Sequence, residues 1–335
     1  MNFLVTGGGG FLGLYIVEQL LAEGHQVRVF CRGHYPALQR PGVSVFQGDI
    51  RDANAVNTAC RGIQAVFHVA AVPGIWGRWK TYHEINTLGT LNVIRGCRDQ
   101  GVERLIYTSS PSVVFDGKDH VEADESLPYP SRWLCHYPHS KALAEQAVLE
   151  ADSADAFRTT ALRPHLIWGP RDNHLIPRLI SKAVKGQLRR VGDGTNVVSV
   201  SYVENVAAAH LQAEKALRTS SVPAGKPYFI NEPESVNLWN WVDELLMRAG
   251  LNPIRRKISS GAATRVGAIF ELLYKGFRIS AEPPMTRFVA AQLAGSHSYS
   301  IAAAQRDFQY QPICTMEEGL KRMQPDLDRL AGRNS

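Results

Sequence analysis

Long apolar runs are absent from this 335-residue chain, and its cysteines are few. No segment approaches the roughly 20 consecutive apolar residues that a bilayer-spanning helix needs. No secretory signal precedes the first predicted strand, which begins next to Met1. The five cysteines are an odd number without close pairing, which argues against a disulfide framework or a zinc site. We therefore expect a cytoplasmic protein with reduced thiols.

Dense runs of positive charge are also missing, although the formal net charge is +6. The lysines and arginines are spread along the chain, so we do not expect nucleic acid as a partner. The excess of positive charge instead favours small molecules that carry phosphate or carboxylate groups. Internal repeats and low-complexity stretches are absent as well, which is typical of an ordinary globular enzyme or binding protein.

Short apolar runs alternate with helical patterns in the first half of the chain. This alternation predicts βαβ units and a doubly wound parallel α/β sheet of the Rossmann type. The predicted strands are 2–6, 26–31, 43–47, 65–69, 104–109 and 159–162, and the predicted helices are 13–22, 53–60, 87–100 and 140–150.

The second half of the chain is less regular. Residues 196–201 and 227–231 read as strands, and residues 238–250 as a helix that glycine ends. Ser201 and Glu204 have the spacing of a capping box, which predicts a helix from there through Leu217. We predict a dinucleotide-binding domain over 1–170, with 196–235 returning to the sheet in part. Residues 171–195 and 236–331 form the predicted smaller substrate-binding cap, and the tail 332–335 is expected to fray.

A glycine-rich loop, TGGGGFLG, follows the first predicted strand at residues 6–13. Gly7 permits a tight turn, Gly10 lets the backbone approach a pyrophosphate, and Gly13 lets helix and strand pack closely. The next helix begins here, and the N–H groups of its first turn, which contains Phe11 and Leu12, attract an anion. Because strand and helix flank the loop, a dinucleotide site is a better interpretation than a flexible turn.

The end of the second strand indicates which dinucleotide is bound. An NAD site usually places an acidic residue about 20 residues beyond the loop, where it holds the ribose 2′-hydroxyl. Cys31 stands at that place here, Arg32 follows it, and no carboxylate lies between Glu23 and Asp49. A 2′-phosphate would meet a cation and no anion, so we predict NADP(H). The alternative is that Arg32 is a solvated surface charge.

Two further strand ends complete the predicted nucleotide site. Asp49 and Ile50 follow the third strand, where Asp49 can accept a hydrogen bond from the adenine amino group. Aspartate at a strand end is also a common turn or cap residue, so this assignment has an alternative. Ala70 and Ala71 follow the fourth strand, where small side chains let the backbone approach the adenosine ribose.

Tyr137 and Lys141 are the candidate catalytic pair. Residues four apart on a helix share one face, and Pro138 suits the first helical turn. A tyrosine with an ordinary pKa near 10 must become more acidic to act near neutrality. A nearby ammonium favours the phenolate, so we expect Lys141 to lower the pKa of Tyr137 and to hold the nicotinamide ribose. The alternative is an exposed surface pair.

The fifth strand ends in hydroxyl side chains. Ser110 is the candidate that steadies the substrate oxygen, with Ser109 as second choice and a cofactor contact; either hydroxyl can instead satisfy the strand end. Asn86 opens the helix before this strand. It is expected to bond backbone or water near Lys141, to cap the helix, or to do both.

These motifs together resemble the extended short-chain dehydrogenase/reductase superfamily over nearly the whole chain. The stretch YTSS at 107–110 and YPHSKALAE at 137–145 are similar to its 3β-hydroxysteroid dehydrogenase branch. The stretch RPHLIWGP at 163–170 also carries the resemblance, which implies that Pro164 and His165 contact the cofactor. It further implies a homodimer through the helices 87–100 and 140–150.

Other stretches resemble the bacterial 2-alkyl-3-oxoalkanoate reductases of long-chain olefin biosynthesis. They are RGHYPAL at 32–38, the run 163–179, VGDGTN at 191–196 and RDFQY at 306–310. This resemblance implies NADPH-dependent reduction of a long-chain β-keto acid and assembly with sister enzymes of the pathway. The rivals are a 3β-hydroxysteroid or 4-carboxysterol dehydrogenase acting on a sterol-like molecule, which would more naturally use NAD, and a cofactor-sensing regulatory protein. A regulator needs no proton donor.

Two segments bear on the substrate. In the loop 73–83, Trp76 and Trp79 are candidates to line an acyl channel, unless they simply pack. Arg78, Lys80 or His174 are candidates to meet a carboxylate. The segment 254–279 mixes basic and apolar residues, so it is predicted to be a cap helix over the substrate pocket, or alternatively to contact a membrane surface.

Overall fold

The computed structural model describes residues 1–153 and 156–333. Within these ranges the strands are β1 Asn2–Thr6, β2 Gln26–Cys31, β3 Val43–Gln47, β4 Ala65–His68, β5 Arg104–Thr108, β6 His120–Ala123, β7 Arg158–Pro164, β8 Ile167–Trp168, β9 Arg190–Val191, β10 Val197–Val198, β11 Ser201–Tyr202, β12 Lys226–Ile230, β13 Val236–Asn237, β14 Lys257–Ile258 and β15 His297–Tyr299. The helices are α1 Phe11–Ala22, α2 Ala53–Ala59, α3 Trp79–Tyr82, α4 Gly89–Asp99, α5 His136–Glu150, α6 Leu175–Val184, α7 Val203–Thr219, α8 Leu238–Arg248, α9 Ser260–Gly276, α10 Arg287–Ala294, α11 Ala302–Phe308 and α12 Met316–Leu330.

A parallel sheet in the order β12-β7-β5-β4-β1-β2-β3 forms the centre of the molecule. Its register pairs Thr6 of β1 with His68 of β4, and His68 with Tyr107 of β5. The strand order reverses between β1 and β4, and ligands bind outside the carboxyl ends of the strands at such a switch point. The doubly wound Rossmann fold predicted from the sequence is confirmed.

The two faces of the sheet are covered by different helices. Along β1, Phe3 and Val5 point into a core shared with α1, α7 and α11, whereas Leu4 points into a core shared with α2, α4 and α5. This alternation is what a strand buried on both faces requires. A further apolar cluster joins α6, α8 and α12 around Trp168 and Tyr202. The chain thus has three layers, with an additional helical unit beside them.

Most predicted elements are present, with shifted ends. The strand predicted over 196–201 is split, because β10 joins a small sheet with β13 and β15, while β11 pairs with β8. The predicted helix 140–150 begins earlier, at His136. The predicted fraying of 332–335 falls partly on residues 334 and 335, which lie outside the described residues. Among the described helices, none combines the length and apolar content of a membrane span.

The predicted capping box is wrong. Tyr202 is the N-cap residue of α7, and no side chain caps the helix. The Ser201 hydroxyl donates instead to the carbonyls of His165 and Ile230, each at 2.8 Å. The Glu204 carboxylate accepts hydrogen bonds from Tyr202 Oη and Arg322. Tertiary partners therefore outcompete the local bonds that the spacing suggested.

Candidate active site

The glycine-rich loop forms a tight turn between β1 and α1. Gly7 has φ of +71°, a left-handed conformation that suits glycine, and its N–H donates to the Phe30 carbonyl at 2.8 Å. A Cβ at Gly13 would lie 2.3 Å from the Gly7 carbonyl oxygen, so only glycine fits there. No side chain caps α1 at Gly10. The first N–H groups of the helix are therefore available to an anion.

A cavity of about 440 Å³ runs from this loop along the carboxyl ends of the central strands. It brings together all but one of the predicted site residues: Gly7, Gly10, Phe11, Leu12, Gly13, Arg32, Asp49, Ile50, Ala70, Ala71, Ser109, Ser110, Tyr137, Lys141 and Pro164. Motifs separated by more than 150 residues thus line one continuous space.

His165 is the predicted residue that the cavity does not include. Its imidazole Nδ1 lies 2.7 Å from the Ser199 carbonyl oxygen, and its ring lies 4.7 Å from the ring of His297. Burial lowers the pKa of His165 to about 3, so the ring is neutral. The side chain turns away from the cavity because it has these partners behind the strand end.

Charged side chains meet at the end of the cavity next to β2 and β3. The Asp49 carboxylate pairs with the Arg51 guanidinium at 2.7 Å and also accepts the Arg51 backbone N–H. The hydrogen bond from Arg51 lowers the pKa of Asp49, and the charge of Arg32 acts in the same direction. Asp49 therefore lines the cavity as predicted and also makes the turn contact that was the alternative. Burial raises the pKa of the Cys31 thiol, so it adds no charge.

Tyr137 lies in the first turn of α5, which Cys135 precedes as N-cap. Burial raises the pKa of Tyr137 to about 12, with a smaller opposing effect from a hydrogen bond with Ser110. One turn later, the Lys141 ammonium donates to the Thr108 carbonyl at 2.6 Å and lies 4.1 Å from the centre of the Tyr107 ring. Burial lowers the pKa of Lys141 to about 7. Both groups line the cavity, with Lys141 buried and Tyr137 half-buried.

Lys141 was expected to lower the pKa of Tyr137, and the protein groups around Tyr137 do not produce this effect. Burial of the phenol dominates, and Lys141 is not among the groups that shift its pKa. The physical reason is that burial disfavours the ammonium of Lys141 itself. With the protein residues alone, Tyr137 is therefore a neutral phenol near pH 7 that carries a proton it can donate.

The two serines at the end of β5 have different surroundings. The Ser110 hydroxyl lies 2.9 Å from the Ser112 hydroxyl and accepts the Ser112 N–H at 3.2 Å, which satisfies the strand end. It also hydrogen-bonds Tyr137. The Ser109 hydroxyl is buried and has no hydrogen-bond partner within residues 1–153 and 156–333. Ser110 thus satisfies the strand end, which was the alternative, and also lines the cavity, while Ser109 offers an unsatisfied polar group to a ligand.

Asn86 fixes the loop after β4 to the start of α5. Its amide Oδ1 accepts the Val72 N–H at 2.8 Å, and its Nδ2 donates to the Val72 carbonyl and to the Ser140 hydroxyl. Ser140 in turn donates to the Tyr137 carbonyl at 2.8 Å. The prediction that Asn86 bonds backbone near Lys141 is confirmed. The helix-cap alternative is wrong, because Asn86 lies inside a π-helical stretch over His83–Leu88.

Sequence reasoning missed a buried ion pair beneath Lys141. Glu145, one turn beyond Lys141, accepts hydrogen bonds from Arg163 Nη2 at 2.6 Å and from Tyr129 Oη at 2.7 Å. Its charge raises the pKa of Lys141, against the larger effect of burial. The available signal was an acid one turn after the lysine, together with an arginine inside an apolar strand.

The aromatic loop packs instead of lining the cavity. Trp76 Nε1 donates to the Ile279 carbonyl at 3.2 Å, and Trp79 stacks on His139 at 4.6 Å. Val72, just before this loop, and Pro73, its first residue, do line the cavity, as does His174. Of the three bases considered for a substrate carboxylate, His174 is therefore the one placed at the cavity; Arg78 and Lys80 are exposed elsewhere.

Comparisons with known proteins agree with this arrangement. The sequence profile of the 3-beta hydroxysteroid dehydrogenase/isomerase family matches residues 4–258. The chain is 47% identical to a 2-alkyl-3-oxoalkanoate reductase from Stenotrophomonas maltophilia, over 96% of this chain and 98% of the relative. It is 36% identical to a decarboxylating sterol-4-alpha-carboxylate 3-dehydrogenase from Mus musculus, over 95% of this chain and 86% of that relative. The structure of MoeE5 with UDP-glucose and NAD superimposes with a TM-score of 0.73 at 25% identity. The match covers 98% of this chain and 99% of the MoeE5 chain.

The glycine-rich loop, a tyrosine and a buried lysine on one helix, and near-complete coverage of these relatives lead to one assignment. The chain is an oxidoreductase of the extended short-chain dehydrogenase/reductase type and belongs to the 3-beta hydroxysteroid dehydrogenase/isomerase family.

Proposed function

We propose that this protein reduces a lipid-like ketone with NADPH, converting a 2-alkyl-3-oxoalkanoate into the 2-alkyl-3-hydroxyalkanoate. The observation that carries the proposal is the single cavity that joins the glycine loop to Tyr137, Ser110 and Lys141. The 47% identical relative supports this choice of substrate class.

The residues present fit a dinucleotide. The open N-terminus of α1 suits a pyrophosphate, and the small residues Ala70 and Ala71 leave room for the adenosine ribose. Pro164 and the unpartnered hydroxyl of Ser109 lie toward the nicotinamide end in this proposal. Lys141 would hold the nicotinamide ribose. When bound, a reduced nicotinamide supplies the hydride for the ketone carbon.

The protein's own part in the reaction is to place and protonate the carbonyl oxygen. Tyr137 holds its proton because burial raises its pKa to about 12, and it gives that proton to the oxygen as charge develops there. Ser110 donates a hydrogen bond to the same oxygen. Lys141 stays between the Thr108 carbonyl and the Tyr107 ring, where it is positioned for a ribose hydroxyl. A neutral phenol suits reduction better than oxidation.

Substitution of Arg32 tests the proposed preference for NADPH over NADH. Arg32 lines the cavity, and so does the carboxylate of Asp49. That carboxylate is already paired with Arg51. We expect Arg32→Met to raise the KM for NADPH about tenfold, the effect of losing one charged contact, and to leave the KM for NADH nearly unchanged. Steady-state kinetics with both cofactors measure this, with Arg61→Met as a control that lies outside the cavity. Equal efficiency of the native enzyme with NADH and NADPH would contradict the assignment.

Within the described residues, the predicted cap reaches the cavity through one lining residue, His174. We propose that residues 171–195 and 236–331 enclose the alkyl chains, since they contribute most of the apolar cluster around α6, α8 and α12. His174 lies between this cluster and the cavity, and we propose that it meets the substrate carboxylate. The exposed side chains of Leu88, just before α4, and of Leu91 on α4 support a homodimer through α4 and α5.

A substrate panel tests the function directly. We expect NADPH oxidation with 2-alkyl-3-keto acids to be more efficient than with 3-ketosteroids or simple ketones, and the product to keep its carboxyl group. The second candidate is a sterol-4-carboxylate 3-dehydrogenase, which the 36% identical relative favours. NAD-dependent oxidation of a 4-carboxysterol with release of carbon dioxide would establish that candidate instead. A regulator that only senses the cofactor is disfavoured by the proton donor Tyr137.

A further inference from the structure

Helix α9 exposes a row of large apolar side chains. Ile269, Leu272 and Phe277 are 57%, 73% and 76% exposed. The buried side of the helix is instead formed by Ala263, Gly267 and Glu271, which recur every four residues. The exposed apolar face also includes Val266, Leu273 and Ile279. A continuous apolar face turned toward solvent marks an interaction surface.

Basic residues surround this face. Arg265, Lys275 and Arg278 lie on or next to it and are exposed. The sequence from 255 to 278 contains a single acid, Glu271, and this acid is buried and paired with Arg287 at 2.8 Å. The surface that α9 presents is therefore apolar and positively charged, with no exposed carboxylate of its own.

The other side of α9 contacts the loop that leads to the cavity. Trp76 donates to the Ile279 carbonyl at 3.2 Å, and its ring meets the Tyr274 ring edge-on at 6.2 Å. Pro73, three residues before Trp76, lines the cavity. The segment that carries the exposed face thus contacts a loop whose first residue belongs to the cavity wall.

We propose that the α9 face, residues 265–279, docks on the surface of an anionic phospholipid bilayer. Its apolar side chains insert at the boundary between headgroups and acyl chains, and Arg265, Lys275 and Arg278 contact the headgroup phosphates. A second copy of the chain fits this face less well. A twofold interface would bring the same patch of bases against itself, and like charges repel across it.

The docking surface deepens the proposed function and rests on it in one respect, namely that a lipid-like ketone reaches the cavity from the bilayer to which α9 binds. Binding of the bilayer itself requires no catalysis. The two ideas can therefore fail separately.

Vesicle flotation with the full-length protein tests the docking. We expect it to float with vesicles of equal parts phosphatidylethanolamine and phosphatidylglycerol, and more weakly with pure phosphatidylcholine. Leu272→Ser/Phe277→Ser should bind the anionic vesicles at least about tenfold more weakly, since much of the inserted apolar area is lost. Lys275→Glu/Arg278→Glu should lose the preference for anionic vesicles. The matched control Val121→Ser/Ile313→Ser, whose side chains are 68% and 57% exposed outside α9, should bind like the native protein.

Three results would overturn the docking proposal: no flotation of the native protein, equal flotation of the Leu272→Ser/Phe277→Ser variant, or dissociation of a native oligomer by that variant. The last would identify the face as a contact between copies. Thermal unfolding and circular dichroism, which require no activity, establish that each variant is folded. A native protein that floats but reduces no member of the substrate panel would refute the proposed function and leave the docking intact.

Discussion

Replacing Tyr137 with Phe is expected to lower kcat by about 10² to 10⁴-fold, the usual contribution of a positioned proton donor. The substitution removes the phenolic O–H and keeps the ring, so the start of α5 should retain its structure. Because the hydrogen bonds of the glycine loop do not involve Tyr137, we expect the Kd for NADPH to change little. Steady-state turnover and cofactor titration measure the two quantities on the same preparation.

Tyr82→Phe is the matched control for this variant. The Tyr82 ring lies 6.3 Å from the Tyr137 ring, but its hydroxyl donates to the Trp76 carbonyl and does not face the cavity. We expect it to keep most of the native kcat. If Tyr137→Phe retained more than about a tenth of native turnover, the proton would have another source, and the role given to Tyr137 would be wrong.

Arg163→Met is expected to destabilise the protein by about 3–5 kcal/mol, the cost of breaking a buried ion pair from one side. The variant leaves the Glu145 carboxylate buried, with Tyr129 Oη as its remaining side-chain donor. Both partners of the native pair are at most 2% exposed, so water cannot replace the guanidinium without rearrangement. Urea unfolding of native and variant protein gives the difference in the free energy of unfolding.

The double variant Glu145→Gln/Arg163→Met separates charge burial from packing. Removing both charges eliminates the unpaired carboxylate, so most of the lost stability should return. If the double variant were no more stable than Arg163→Met, the loss would come from packing of the Arg163 side chain against the Phe229 ring, 5.3 Å away, and not from the charge of Glu145.

Local motifs were predictable because each depends on a short stretch of chain. The tight turn at Gly7 and the shared helical face of Tyr137 and Lys141 follow from rules about neighbouring residues. The parallel sheet was also predictable, since alternating strands and helices allow few topologies. These features account for the fold and for the parts of the cavity that the sequence identified.

What escaped prediction depends on contacts between distant segments. Arg163 on a strand pairs with Glu145 on a helix, and although each residue is unusual in its own segment, no local pattern shows that the two meet. Ser201 has capping-box spacing, yet its hydroxyl hydrogen-bonds the carbonyls of His165 and Ile230 instead of capping the helix. The pKa of Tyr137 was expected to follow its charged neighbour, whereas burial decides it. Burial is a property of the assembled fold, so reasoning from spacing alone gave the wrong sign.

The contact between Asn86 and Val72 has a consequence for how substrate preference can evolve in this protein. Asn86 hydrogen-bonds the backbone N–H and C=O of Val72, and any residue except proline has both groups. Residue 72 also lines the cavity. Mutation at position 72 can therefore reshape the wall without moving the backbone that Asn86 links, through Ser140, to the Tyr137 carbonyl. The shape of the cavity wall and the backbone that holds Tyr137 thereby depend on different side chains, so one can vary while the other stays in place.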